Sequence, residues 1–263
     1  MLPLVLKIGG HDLRDEAFLC ELSAVVRDLP VPLVLVHGGG VEIADLQQRL
    51  GIEPQYLQGL RVTDADSLAL VEMVLCGLVN KRLVRFLVHA GVDALGLSGV
   101  DRGLLRARQM PHDQVDMGFT GEVNAVDANV IHEMLAQGVT PVVSPLCLGP
   151  DCAFNVNADH VAGALAVAIE ASRIVFLTNV PGVLREGTLL QELDSGQARE
   201  LIGQGIIHGG MIPKVETALQ ALATGVPQAL VTNLDGLRQG TGTLFQKEVK
   251  SIARVKTESG DRV

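Results

Sequence analysis

Apolar strand-like runs alternate with helical patterns along most of the chain, and this alternation restricts the fold more than any other feature. Runs at 3–8 and 32–36 are each followed by helical periodicity, at 14–28 and 41–50. A longer helical pattern covers 65–90, then an apolar run near 93–97 and predicted strands near 103–108 and 119–124. Helix 127–137 leads into "VTPVVSPL", helix 157–170 into "RIVFLTNV", and helix 211–224 into "PQALVTN". Buried strands separated by helices predict an α/β protein with a mainly parallel sheet. Such sheets bind ligands at the carboxyl ends of their strands, where this chain concentrates glycine, asparagine and lysine. A soft boundary near 171–173 divides the chain into 1–171 and 172–245. The charged segment 246–263 lacks a strong apolar period and is expected to be loosely attached or disordered.

Charge narrows the range of partners. Lys plus Arg is 21 against 30 for Asp plus Glu, a net charge of −9. That balance argues against a general nucleic-acid or membrane-surface binder, and the absence of tryptophan removes the usual stacking platforms for single strands. The opening "MLPLVLKIGG" lacks the basic start of a signal peptide, and "VAGALAVAI" is far shorter than the ~18 residues of a spanning helix. Cys20, Cys76, Cys147 and Cys152 form no Cys-x-x-Cys pair, and the histidines show no His-x-x-x-His spacing. The cysteines therefore read as small apolar residues in a reducing cytoplasm, and no metal ligation by side chains is expected.

Several short segments carry candidate chemistry. In "LVLKIGG", Lys7 ends a buried strand, an unusual place for lysine; Gly9 and Gly10 follow and allow backbone N–H groups to approach an anion. "VHGGGVEI" places Gly38, Gly39 and Gly40 between a strand and a helix. The chain contains no Gly-Lys dipeptide and no Gly-x-Gly-x-x-Gly, so neither a P-loop nor a dinucleotide fingerprint is present. The glycines could serve a tight turn with close helix packing, or an anion at the helix start. In "FNVNADHVAGAL", Asn155, Asn157 and Asp159 precede an Ala-rich helix. One of them suffices as a cap, and an acid there can hold lysines near an anion.

"IIHGGMIPKVETAL" puts Lys214 in a helix's first turn, against the helix dipole, which suggests an anionic ligand. Pro213 suits that turn. In "QGLRVTDADSL", Arg61 lies just before a helix start and is suited to bidentate capture of a carboxylate. Two lysines, an arginine, two glycine turns and one acid imply a substrate with several negative charges. No Ser-His-Asp order or nucleophile elbow is present, which disfavours acyl hydrolysis.

Taken together, "LKIGG", "VHGGG", "GLRVT", "NVNAD", "LTNVPGV" and "GGMIPK" resemble the amino-acid kinase family, most closely its members that phosphorylate N-acetylglutamate. The six segments stand in family order from Lys7 to about Phe245. The resemblance implies an open three-layer α/β/α sandwich of two lobes, the N-terminal one binding the acyl amino acid and making the dimer contact, the C-terminal one binding ATP. By position, Lys7 and Lys214 are similar to the lysines that stabilise the transferring phosphoryl group, and Asp159 to the acid orienting both. Gly10 and Gly39 resemble the backbone donors beside that group. Gly39, Gly40, Arg61 and Asn155 resemble acetylglutamate contacts, with Arg61 on a carboxylate. Asn179, Val180, Pro181, Gly182, Val183 and Leu184, together with Ile206, Gly209, Gly210, Met211 and Lys214, resemble the nucleotide site.

The implied chemistry agrees with the residue inventory. A γ-carboxylate with a pKa of about 4.3 is already ionised at neutral pH, so no general base is required. Lysines, N–H groups and Mg2+ carried by ATP supply positioning and electrostatic stabilisation. Asn179 stands where the family commonly has aspartate. Only six residues precede Lys7, which predicts a homodimer with little arginine inhibition. Two other readings remain open: a sister kinase acting on aminoadipate linked to an acidic carrier protein, and a non-catalytic module of the same fold. Retention of Lys7, Asp159 and Lys214 together argues against the module.

Overall fold

The computed structural model describes residues 1–247 apart from His11 and Gln58. An eight-stranded sheet runs through it, in the order Glu192–Asp194, Thr243–Gln246, Gln228–Thr232, Arg173–Leu177, Leu4–Ile8, Leu33–His37, Thr140–Ser144, Ala94–Ser98. Every pairing is parallel except that of Gln228–Thr232 with Thr243–Gln246. Leu4–Ile8 is central and joins the two halves of the chain, pairing with Leu33–His37 on one side and Arg173–Leu177 on the other. Helices cover both faces, so the central strands Leu4–Ile8, Leu33–His37 and Arg173–Leu177 are apolar except for Lys7, His37 and Arg173 at or near their ends, as expected of buried parallel strands.

Because successive side chains alternate between faces, the central strands feed two separate cores. Val5, Val34, Val36, Ile174 and Phe176 pack on one side with Val161 and Ala162 of the helix Ala158–Ala168. Leu6, Ile8, Leu35, Val175 and Leu177 pack on the other with Leu19 and Leu22 of the helix Glu16–Asp28. Lys7 shares the phase of Val5 and therefore projects toward the helix Ala158–Ala168. That phase brings it to Asp159.

The helix Met211–Thr224 has the predicted bounds. The pattern at 65–90 is instead three joined pieces: α-helix Ala65–Glu72, a π-helical stretch Met73–Val79, and α-helix Asn80–His89. Periodicity hides such an insertion because apolar residues continue through it. The strand expected near 103–108 starts at Leu105, after a 3-10 turn at Asp101–Gly103. Leu105–Gln109, Thr120–Val126, Leu146–Leu148 and Ala153–Val156 close into a small barrel that the sequence pattern did not predict. Of the segment 246–263, Gln246 ends a strand, so the sheet extends one residue into it. The remainder beyond Lys247 lies outside the described residues.

Candidate active site

Three neighbouring strands end level with one another. Ile8 is in register with both His37 and Leu177, so Gly9–Gly10, Gly38–Gly40 and Thr178–Asn179 leave the sheet side by side. The first two turns touch: Gly38 N–H donates to Ile8 O at 3.0 Å, and a Cβ added to Gly10 would lie 3.0 Å from Gly39 N. A side chain at Gly10 would therefore press the two turns apart. A Cβ at Gly39 would come within 2.6 Å of Leu75 Cδ2 and 3.3 Å of Val79 Cγ2, both on the π-helical stretch. The sequence left open whether these glycines serve helix packing or a ligand. Gly39 meets the packing demand, and it also lines a cavity.

Two adjoining cavities open at this end of the sheet, and Lys7 and Asp159 line both. The first, about 250 Å³, is bounded by Gly38–Gly40, Arg61, Thr120 and Asn155. The second, about 300 Å³, is bounded by Gly9, Asp12, Thr178, Asn179, Pro213 and Lys214. Lys7 Nζ lies 2.8 Å from Asp159 Oδ1, both half-buried. Asn157 is the cap of the helix Ala158–Ala168 and accepts from Asp159 N–H at 2.7 Å. With Asn157 capping the helix, the Asp159 side chain is free to meet Lys7.

Lys214 donates to Asn179 Oδ1 at 2.9 Å across the second cavity. Its ammonium is pushed below the ordinary lysine range, chiefly by burial; Asp12 opposes that shift and Lys7 adds to it. The two lysines thus feel one another at the mouth of a shared space. Arg61 is buried, with its guanidinium donating to Gln47 Oε1, to Gly40 O at 3.2 Å and to Tyr56 Oη at 2.6 Å, and stacking 4.8 Å from the Tyr56 ring. Burial lowers its pKa. No carboxylate pairs with it among the described residues. A buried cation without an anion is costly, and it faces a cavity. Asn155 donates to Thr63 Oγ1 at 3.0 Å, which fixes its amide at the wall of that cavity.

The segment 180–184 is placed differently. Val183 is a core residue whose N–H donates to Thr243 Oγ1 at 2.8 Å, and Gly182 has φ 142°, a conformation that favours glycine. Pro181 and Leu184 are exposed, and Val180 is tied to Thr178 through a hydroxyl turn. Ile206 and Met211 are partly buried against the core, while Gly209 and Gly210 are exposed before the helix carrying Lys214. None of these nine lines either cavity.

Sequence reasoning missed three contributors. Asp12 enters the second cavity, two residues after Gly10, where its position next to a glycine turn was the available signal. Tyr56 touches Arg61; as the single tyrosine of the chain it could have been singled out. Asn80 gave no signal, lying within a helical pattern. Its amide donates to the buried His37 Nε2 at 3.1 Å and to Val142 O at 2.9 Å. Since Nε2 accepts, Nδ1 carries the proton and donates to Gly38 O at 2.9 Å. His37 thereby holds the carbonyl of the peptide whose N–H belongs to Gly39. Carbonyl and N–H point opposite ways in a trans peptide, so this bond turns the Gly39 N–H away from the imidazole.

This fold and site define a kinase class. Residues 3–233 match the family model described as "Amino acid kinase family", and the chain belongs to that family. It is 51% identical over 247 residues to the acetylglutamate kinase of Roseiflexus sp. (strain RS-1), covering 93% of this chain and 94% of that one. The acetylglutamate kinase of Methanopyrus kandleri is 46% identical over 252 residues, covering 92% of this chain and 99% of the relative. Among solved structures, smu.665 from Streptococcus mutans UA159 superposes with a TM-score of 0.78 at 35% identity, over 94% of this chain and 99% of that one.

Proposed function

We propose that this kinase transfers the γ-phosphoryl group of ATP to the γ-carboxylate of N-acetyl-L-glutamate, the acyl-phosphate step of arginine biosynthesis. The observation carrying this reading is the pair of cavities meeting at Lys7 and Asp159. One has a buried Arg61 that pairs with no carboxylate among the described residues and suits the acyl amino acid; the other has Lys214 and suits the nucleotide. The acceptor is ionised at neutral pH, so the barrier is charge repulsion rather than proton removal. Lys7, Lys214 and the N–H groups of Gly10 and Gly39 offset the charge of the phosphoryl in flight, and Asp159 aligns Lys7.

Among the described residues no group of three or more His, Cys, Asp or Glu gathers as a metal cage. Mg2+ would enter this site as a companion of the nucleotide, whose charge it would neutralise in part. Of the two carboxylates in the second cavity, Lys7 engages Asp159, so Asp12 is the one that would hold the hydrated ion beside the nucleotide.

We assign 1–171 to the acyl-amino-acid lobe and 172–245 to the ATP lobe. The remaining nucleotide contacts go to Asn179–Leu184 and to Ile206 and Gly209–Met211, which flank the second cavity in sequence. A homodimer is supported by exposed Met73, Leu78, Val88 and Leu95 on neighbouring elements. Among the described residues no helix is long and apolar enough to cross a membrane; four free cysteines support a cytoplasmic location. The test is ATP-dependent acyl-hydroxamate formation with acetylglutamate, glutamate, aspartate and carrier-linked aminoadipate. Turnover is expected with acetylglutamate; activity only with the carrier-linked substrate would overturn the reading. Light scattering is expected to give a dimer, and a hexamer would exclude it.

A further inference from the structure

Arg61 is short of free donors on the side where a carboxylate must bind. A guanidinium has five N–H bonds, two on each terminal nitrogen and one on Nε. Both protons of Nη2 are engaged, one by Gly40 O at 3.2 Å and one by Tyr56 Oη at 2.6 Å, while Nη1 gives one to Gln47 Oε1. One N–H on Nη1 and the Nε–H have no acceptor among the described residues. Bidentate capture needs two adjacent N–H bonds, and each edge of the group that includes Nη2 has only one free. Gln47 is buried, and it also donates to Ser67 Oγ at 2.9 Å, while Gly40 O belongs to a helix start; neither can leave cheaply. Tyr56 can: it is 54% exposed, and its hydroxyl regains water on leaving.

We propose that the Tyr56 hydroxyl is a placeholder for the substrate carboxylate, which displaces it from Arg61 when the acyl amino acid binds. In the free protein the phenol oxygen satisfies a buried guanidinium; in the complex a carboxylate oxygen takes the same proton and completes a two-point contact. Tyr56 is thus a specificity-determining residue, because only a ligand whose anion accepts better than a phenol displaces it. This inference rests on the proposed acceptor substrate.

The chain has one tyrosine and no tryptophan, so its intrinsic emission reports Tyr56 alone. Tyrosine emission is to be titrated with N-acetyl-L-glutamate in the intact protein and in Tyr56→Phe, alongside KM for both substrates. The expected result is a saturable emission change in the unmodified protein that is absent in Y56F. Y56F should also lower KM for acetylglutamate about three- to tenfold, the worth of one competing hydrogen bond, with KM for ATP unchanged. Unaltered emission at saturating acetylglutamate, or a KM that is unchanged or raised in Y56F, overturns the placeholder while leaving the kinase reading intact. Absence of acyl phosphate from acetylglutamate in the unmodified protein would instead overturn the kinase reading.

Discussion

Lys7 Nζ and Asp159 Oδ1 approach to 2.8 Å, yet their alignment falls outside that of a hydrogen bond, and Oδ1 has no other partner. The pair is an ion contact with directional capacity unused on the acid. Removing the charge of Asp159 should release Lys7 from its aim into both cavities. Asp159→Asn is expected to lower kcat by roughly 10²–10³-fold, the scale of losing one preorganised electrostatic contact. KM for either substrate should move far less. Steady-state hydroxamate kinetics check this, and a Lys7→Ala protein with undiminished turnover would remove the mechanism altogether.

Gly39 is confined by Leu75 and Val79 on one side and by Gly10 on the other. Gly39→Ala should cost about 1–3 kcal/mol of stability through overpacking. It should also reduce turnover and weaken acetylglutamate binding more than ATP binding. Chemical denaturation and separate KM measurements test the two parts. A loss confined to ATP affinity would make the turn a nucleotide cradle instead.

His37 is fully buried, and burial drives its imidazole down to about 4, with Lys81 adding to the shift and the Gly38 carbonyl opposing it. Above its ordinary value of 6.5 the ring is neutral whether the chain is folded or not, and nothing is lost. As pH falls from 6.5 toward 4, the unfolded chain takes up a proton that the folded protein refuses. Stability therefore declines across that window, by on the order of 3 kcal/mol at its lower end. Urea midpoints at pH 7.5 and 4.5, compared with those of His37→Gln, should show a smaller decline in the variant.

Asn80→Leu deprives both His37 Nε2 and Val142 O of their donor inside the core. A cost of about 2 kcal/mol is expected, the usual penalty of buried groups left unpaired. Because His37 steers the Gly39 peptide, kcat should fall along with stability, while Asn80→Ala would add a cavity. Thermal melts and kinetics on Asn80→Leu separate the effects.

Much of the fold and part of the site were legible in the chain. Strand and helix alternation led to the parallel sheet because buried strands must be apolar, and Lys7 stood out because lysine seldom ends such a strand. Arg61, Asn155 and Asp159 were singled out as polar residues beside structural breaks, and all three line the first cavity. Asn80 was hidden because its role depends on a neighbour far along the chain, His37. The small barrel was hidden because its strands come from four separated segments. Arg61's crowded hydrogen bonding was likewise invisible, since it depends on Gln47, Gly40 and Tyr56 converging in space.

The π-helical stretch Met73–Val79 bears on how this chain can vary in length. A π-turn carries an extra residue relative to an α-helix and absorbs it locally, so the helix Asn80–His89 keeps its phase. Deleting one residue there would restore α-helical pitch and leave Asn80 facing His37. It would remove the bulge that brings Leu75 and Val79 against Gly39. Length in this segment should accordingly be held by natural selection even where residue identity drifts. An insertion or deletion in the surface loop 110–117 carries no comparable penalty, because no bulge packed against Gly39 is altered by it.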